Sequence, residues 1–227
     1  MTITREFVHD PSLVLYLPLY KLDGKEIVSQ DAYGHVATVT GALWEIGGRR
    51  FDGADDKISI PDHTVLDIGT GDFSIMVIGL SMVENGEVLQ MFVEKRNNVA
   101  PYLGYAFYYG DSSDNMNVQI NDTVNTSVAS DTLGDMQDGV KRSYAVTVDR
   151  NSATGVLFYR DGVQWGAAKD GTASQGSIAN TIPITIGLAF GDTFDLEGTM
   201  SEVFIYNRAL SPLEIQRNYL ATKWRFQ

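Results

Sequence analysis

The sequence predicts an all-β chain, a sandwich or barrel of short antiparallel strands followed by one short helix. Short runs of β-branched and aromatic residues recur between Gly, Asp and Asn turn signals, from Leu13 to Tyr206. Only the stretch after Ser211 carries the period and the start signals of a helix. At 227 residues, 44% of them hydrophobic, the chain can bury one sizeable core, and sandwiches of this length ordinarily form one domain.

In chain order, residues 13–19 and 36–39 read as the first strands. Residues 50–51 and 57–60 flank the turn-rich Asp52-Gly53-Ala54-Asp55-Asp56 and read as a hairpin-like unit. Residues 73–80 are apolar on both faces, which predicts a central strand buried between two sheets, and 88–93 follow the same logic. Residues 102–109 are aromatic on both faces, whereas 115–120 are more polar and edge-like, leaving one face open to a ligand. Residues 144–148 and 156–159 are strands, the second entering an Asp161-Gly162 hairpin turn whose return strand carries Trp165. A Gly-, Ser-, Thr- and Ala-rich loop follows at 169–181, and strands at 182–188 and 200–206 close the sheets. Ser211 then suits an N-cap, Pro212 the first helical position and Glu214 a capping box. Ile215, Tyr219 and Leu220 are expected to share the face that packs on the sandwich.

Composition narrows the function. A net charge of -12 opposes nucleic acid, whose phosphates require a basic footprint. No apolar run reaches the roughly 20 residues of a membrane-spanning helix, so membrane insertion is not expected. With no cysteine, disulfides, thiolate metal sites and cysteine nucleophiles are excluded, leaving carboxylates and oxygen-ligated metals. Arg5, Glu6 and Asp10 interrupt the N-terminal stretch, which is therefore not expected to act as a secretory signal peptide.

Three ordered stretches, LVLYLPL with DAYGHVATVTGALW, then FDGADDKISIPDHTVLDIGTGDFSI, then GTMSEVFIYNRALSPLEI, resemble the laminin-G-like, concanavalin A-like lectin/glucanase family. The resemblance spans about residues 12–220. It implies a two-sheet antiparallel jelly-roll sandwich forming a single domain over 1–227. The chain is also similar to single-domain versions of this module among bacteriophage and environmental proteins, which implies display on a virion or another extracellular surface. Relatives often hold a structural calcium, and the resemblance places its ligands here at Asp31, Gly34, Asp52 and Glu202. Ser201 stands where the family usually has an Asp before that Glu, leaving the set one carboxylate short. Asp31 and Asp52 equally suit the capping of tight turns, with Glu202 solvated; Asp55 and Asp56 read either as further ligands or as turn residues.

Sugar recognition pairs aromatic rings with amides and carboxylates. Among the rings Tyr102, Tyr105, Tyr108, Tyr109, Trp44 and Trp165, the candidate ligand-binding set is Tyr102, Tyr105 and Trp165, with Asn97 and Asn98 on a rim loop. Catalysis has less support. Glycoside hydrolysis needs two carboxylates about 5–10 Å apart, yet no Glu-x-Asp-x-Glu cluster occurs, and Glu87 and Glu94 fall on opposite faces of a regular strand. A lyase would want a His or Tyr base beside a neutralising Arg or Gln; His9, His35 and His63 lie near turns, and Gln119-Ile120-Asn121 lacks a histidine. No Gly-x-Ser-x-Gly elbow is present. The expectation is therefore a non-catalytic carbohydrate-binding or adhesion module whose partner is a glycan or a surface protein. The alternatives are a structural virion protein, as capsid decoration or tail component, and a divergent glycan-cleaving enzyme.

Overall fold

The structure, a computed structural model, describes residues 10–86, 89–110, 114–132, 134, 136–189 and 194–226. The sequence readings that involve Arg5, Glu6, His9, Glu87 and Val88 lie outside the described residues. The chain forms strands β1 (Leu13–Pro18), β2 (Glu26–Val28), β3 (Val36–Thr40), β4 (Leu43–Glu45), β5 (Gly48–Asp52) and β6 (Lys57–Ile60). After a 3-10 turn at Thr64–Leu66 come β7 (Phe73–Met82), β8 (Leu89–Arg96), β9 (Gly104–Gly110), β10 (Asn115–Asn121) and β11 (Thr126–Thr132). The last third holds β12 (Arg142–Val148), β13 (Val156–Arg160), β14 (Val163–Lys169), β15 (Ile184–Ile186), β16 (Glu197–Met200) and β17 (Glu202–Tyr206), then helix α1 (Pro212–Thr222).

Two antiparallel sheets face each other in a jelly-roll sandwich. The nine-stranded sheet runs β14-β13-β12-β7-β16-β5-β4, with β17 also on β7 and β1 on β17; the eight-stranded sheet runs β11-β10-β9-β8-β15-β6-β3-β2. Inward residues of alternating strands fill the core, among them Phe51, Phe73, Ile75, Phe92, Phe107, Val146 and Ile205. The free edge of β1 is covered by the following loop: Gln30 N–H donates to Tyr16 O at 2.8 Å, and Asp31 Oδ2 accepts from Tyr16 N–H at 3.0 Å.

Four local expectations change once the strands find their partners. The segments around Asp52–Asp56 are not a hairpin: β5 pairs with β4 and β16, β6 with β3 and β15, and the turn carries the chain from one sheet to the other. β7 is buried on both faces because Ile75 and Val77 enter the inter-sheet core, while Met76 and Ile78 lie under α1 with Tyr16, Phe204 and Ile215. The strand expected at 200–206 breaks at Ser201, which is fully buried against Gly79; a Cβ there would stand 2.2 Å from Ser201 Oγ. On α1 the buried positions are Ile215, Asn218 and Thr222, whereas Leu220 is exposed. Asn218 is accommodated because its amide donates to Tyr206 Oη at 3.0 Å, a polar contact that hydrophobic periodicity does not register.

The helix start is as expected. Ser211 caps the Glu214 N–H and Glu214 reaches back to Ser211, with Pro212 in the first turn. Arg208 ties this start to the first strand, donating to Glu214 Oε1 at 2.7 Å and to Asp10 Oδ2 at 2.6 Å.

Candidate functional site

The outer face of the eight-stranded sheet carries a polar network built by strand register. Tyr105, Phe107 and Tyr109 of β9 and Met116, Val118 and Ile120 of β10 point into the core. Their neighbours Ala106, Tyr108, Asn117, Gln119 and Asn121 therefore point outward. Glu94 and Arg96 sit opposite Ala106 and Gly104, and Thr185 sits opposite Glu94 on the other side. Because Ala106 and Gly104 are small, long side chains from β8 and β10 meet across β9. Arg96 Nε donates to Glu94 Oε1 at 2.5 Å and Nη1 to Gln119 Oε1 at 2.5 Å. Gln119 Nε2 donates to Asn121 Oδ1 at 3.3 Å, and Asn121 Nδ2 to the Tyr102 carbonyl at 2.9 Å.

This network is largely shielded. Glu94 is 2% exposed, and the Thr185 hydroxyl is buried without a hydrogen-bond partner. On its far side Ala189 and Phe194 pack against Met91, Ala106 and Tyr108. Burial and the Glu94 charge push the Tyr108 phenol up against the opposing pull of Arg96, so its hydroxyl is protonated at neutral pH. At the rim, Tyr102 is 45% exposed with the Arg96 guanidinium 5.8 Å from its ring centre. Its backbone is left-handed, at φ 60°, a conformation that costs a non-glycine residue of order 1–3 kcal/mol. The Asn121 amide and the Tyr102 N–H bond to Val99 O, at 2.8 Å, hold it there.

The sequence-predicted ligand residues separate. Tyr105 is a core residue, 1% exposed with its ring 5.3 Å from that of Phe73, so it presents no face to a ligand; its place in β9 turns it inward. Tyr102 lies beside Asn121 at one end of β10. Trp165 donates to Thr132 O at 3.2 Å, and Thr132 pairs with Asn115 at the other end of β10. Six strand residues span about 20 Å, so these two rings do not serve one sugar. Trp44 is exposed on the opposite sheet. Asn97 and Asn98 follow β8, next to the Tyr102 loop. Sequence reasoning weighed Glu94, Tyr108 and Gln119 separately and missed their grouping with Arg96, whose signal was the period-two spacing of Glu94-x-Arg96 and Gln119-x-Asn121 on strands that each pair with β9.

The four expected calcium ligands do not converge. Glu202 is fully buried on the other sheet, accepting from Tyr16 Oη at 2.7 Å and ion-paired with Arg225. Asp31 Oδ1 accepts from the N–H groups of Tyr33 at 2.8 Å and Gly34 at 3.2 Å, a turn cap. Ser201, beside Glu202, is fully buried and donates to Gly47 O. Among the described residues, the carboxylates that gather within 4.8 Å of one another are Asp52, Asp55 and Asp56. Burial and the charges of Asp52 and Asp55 raise the Asp56 pKa, a repulsion that a hard cation relieves. The two described histidines serve structure: His35 Nε2 bonds Val14 O at 3.1 Å, and His63 caps the 3-10 turn through Val65 N–H at 3.3 Å. Among the described residues no helix is long and apolar enough to cross a membrane.

Solved structures share this fold at low sequence identity. The binding domain of Paraclostridial Mosquitocidal Protein 1 superposes with a TM-score of 0.69 at 16% identity over 92% of this chain and 52% of that one. The botulinum neurotoxin serotype G binding domain gives 0.71 at 13% identity, over 92% and 51%. Trypanosoma rangeli sialidase, in complex with sialic acid, gives 0.66 at 15% identity, over 94% and 33%. This chain thus spans about half of the two binding domains' length and a third of the sialidase's. No curated protein sequence matches it. The profile of the concanavalin A-like lectin/glucanase superfamily matches residues 52–216, from the Asp52 turn to the first turns of α1. With that match across most of the sequence and the two-sheet jelly roll around it, the chain belongs to the concanavalin A-like lectin/glucanase superfamily.

Proposed function

We propose that this protein is a non-catalytic glycan-binding module, displayed on a virion or cell surface, that reads its ligand on the outer face of the eight-stranded sheet. The observation that carries the reading is the Glu94–Arg96–Gln119–Asn121 network ending beneath the exposed Tyr102 ring. The partly exposed Arg96 guanidinium and Gln119 amide, held in place by the buried Glu94 and Asn121 next to an aromatic ring, supply what sugar hydroxyls and ring faces require. Neighbours of the same fold lend support: one is a botulinum neurotoxin binding domain in complex with SialylT, another the botulinum neurotoxin type C whose cell entry depends on two ganglioside molecules. The sialidase neighbour keeps a catalytic alternative in view. Against it, Glu94 is the one carboxylate of the network among the described residues and is paired with Arg96, where hydrolysis needs two carboxylates. A structural calcium at Asp52, Asp55 and Asp56 belongs to the same proposal, stiffening the sheet-to-sheet turn without taking part in chemistry.

A glycan array on purified protein, with calcium and with a chelator, tests the reading. Specific binding that Tyr102→Ala or Arg96→Ala weakens about tenfold is expected. A flat array would favour the structural role in a virion, and product release from any bound glycan would favour the enzyme.

A further inference from the structure

On the outer face of the other sheet, Tyr20, Trp44, Ile46, Gly47, Trp224 and Arg225 enclose a groove of about 340 Å³. That volume falls within the range of small-ligand sites. Three segments far apart in sequence build it: Tyr20 just after β1, the β4–β5 hairpin, and the 3-10 turn that follows α1. Its walls remain open, with Ile46 88% and Trp224 66% exposed, so two large apolar groups meet solvent side by side.

The ring orientations are set in advance. Trp44 Nε1 donates to Tyr20 O at 3.0 Å and Trp224 Nε1 to Ala221 O at 2.9 Å. Both indole N–H groups are thereby used, and what each tryptophan offers an incoming molecule is its apolar ring surface. The Arg225 guanidinium lies 4.9 Å from the Tyr20 ring centre and 5.1 Å from that of Trp224, and its charge is already matched by the buried Glu202. The floor of the groove is accordingly electrically balanced, within a chain of net charge -12 that repels anions.

We infer that this groove is a second sugar site, one that takes a neutral pyranose of a glycan by stacking its C–H face on Trp44 and Trp224. It goes beyond the sheet-face reading, since the two sites use different residues on opposite outer faces of the sandwich. A single chain would then carry two sites facing away from each other and would cross-link two glycan strands as a monomer.

Two of the three tryptophans line the groove, which supplies a site-specific probe. The full chain labelled with 5-fluorotryptophan is titrated with neutral gluco-, manno-, galacto- and N-acetylglucosamine oligosaccharides and followed by fluorine NMR. The expected result is saturable movement of the Trp44 and Trp224 resonances with Trp165 unmoved. Trp224→Ala should weaken that binding about tenfold, whereas Trp224→Phe, which keeps a ring, retains most of it. Because Trp224 is exposed, both variants should fold, which a melting curve verifies. Silence of both groove resonances across the panel would overturn the proposal. So would movement that depends on protein concentration without sugar, accompanied by dimerisation in sedimentation, since the groove would then be a protein contact. Arg96→Ala separates the two readings. Loss of array binding in that variant with silent tryptophans leaves the sheet face standing and removes the groove; tryptophan shifts that survive while array binding ignores Arg96 do the reverse.

Discussion

Replacing Arg225 with Ala strikes the contact that fastens the C-terminal turn to the sandwich. The Arg225 side chain is 5% exposed and pairs with that of Glu202, which is 0% exposed and also receives the Tyr16 hydroxyl at 2.7 Å. Burial by itself would lower the Arg225 pKa, and the Glu202 carboxylate outweighs it, so the pair is charged on both sides. Burial and that same carboxylate push the Tyr16 phenol far up, which keeps it a donor. Without Arg225, a fully buried carboxylate retains the Tyr16 hydroxyl and loses its countercharge, a change that costs about 3–5 kcal/mol in buried pairs. At this chain length each kcal/mol moves the melting temperature by about 2–4 °C, so Arg225→Ala should melt roughly 6–20 °C lower.

Urea unfolding and thermal melts followed by circular dichroism measure this directly. Arg225→Lys should recover only part of the loss, because an ammonium keeps the charge but not the planar stack on Tyr20 and Trp224. Glu202→Gln combined with Arg225→Met removes both charges yet leaves Tyr16 an acceptor, and should be more stable than Arg225→Ala alone. A loss below about 1 kcal/mol in Arg225→Ala, at an unchanged urea slope, would refute the reasoning. Rescue of that variant by calcium would do so in another way, by making Glu202 a metal ligand instead of an ion-pair partner.

Three further outcomes are expected. Ser211→Ala should cost about 1 kcal/mol in urea unfolding by leaving the Glu214 N–H uncapped. The Glu214 carboxyl is held down to about 2 by Arg208, against an ordinary value of 4.5. A lowered folded pKa stabilises above the unfolded value, and that stability drains away as pH falls from about 4.5 through about 2. Melting curves over this window should therefore be flatter in Glu214→Gln than in the parent chain. Calcium should raise the melting temperature and a chelator reverse it, with Asp55→Asn abolishing the difference; identical curves in both conditions would reduce Asp52, Asp55 and Asp56 to turn residues.

Features that depend on neighbours in sequence were legible from it. Short β-branched and aromatic runs gave β7, β9 and β12, an Asp-Gly pair gave the β13–β14 hairpin, and a capping box gave the start of α1. The three ordered family stretches gave the sandwich as a whole. What tertiary structure decided was every property set by which strand lies beside which. The Asp52 turn looks like a hairpin until β5 and β6 take partners in different sheets. Tyr102 and Tyr105 are three residues apart, yet one is half exposed at a rim and the other sealed in the core. Glu202 looks like a surface ligand until Arg225, 23 residues later, closes over it. Glu94 and Gln119 look unrelated until β9 places a small Ala106 between them and Arg96 reaches across. Local patterns report backbone geometry and the alternation of faces, whereas a site requires groups from distant segments to be held within hydrogen-bonding distance. Only the packing of the two sheets supplies that.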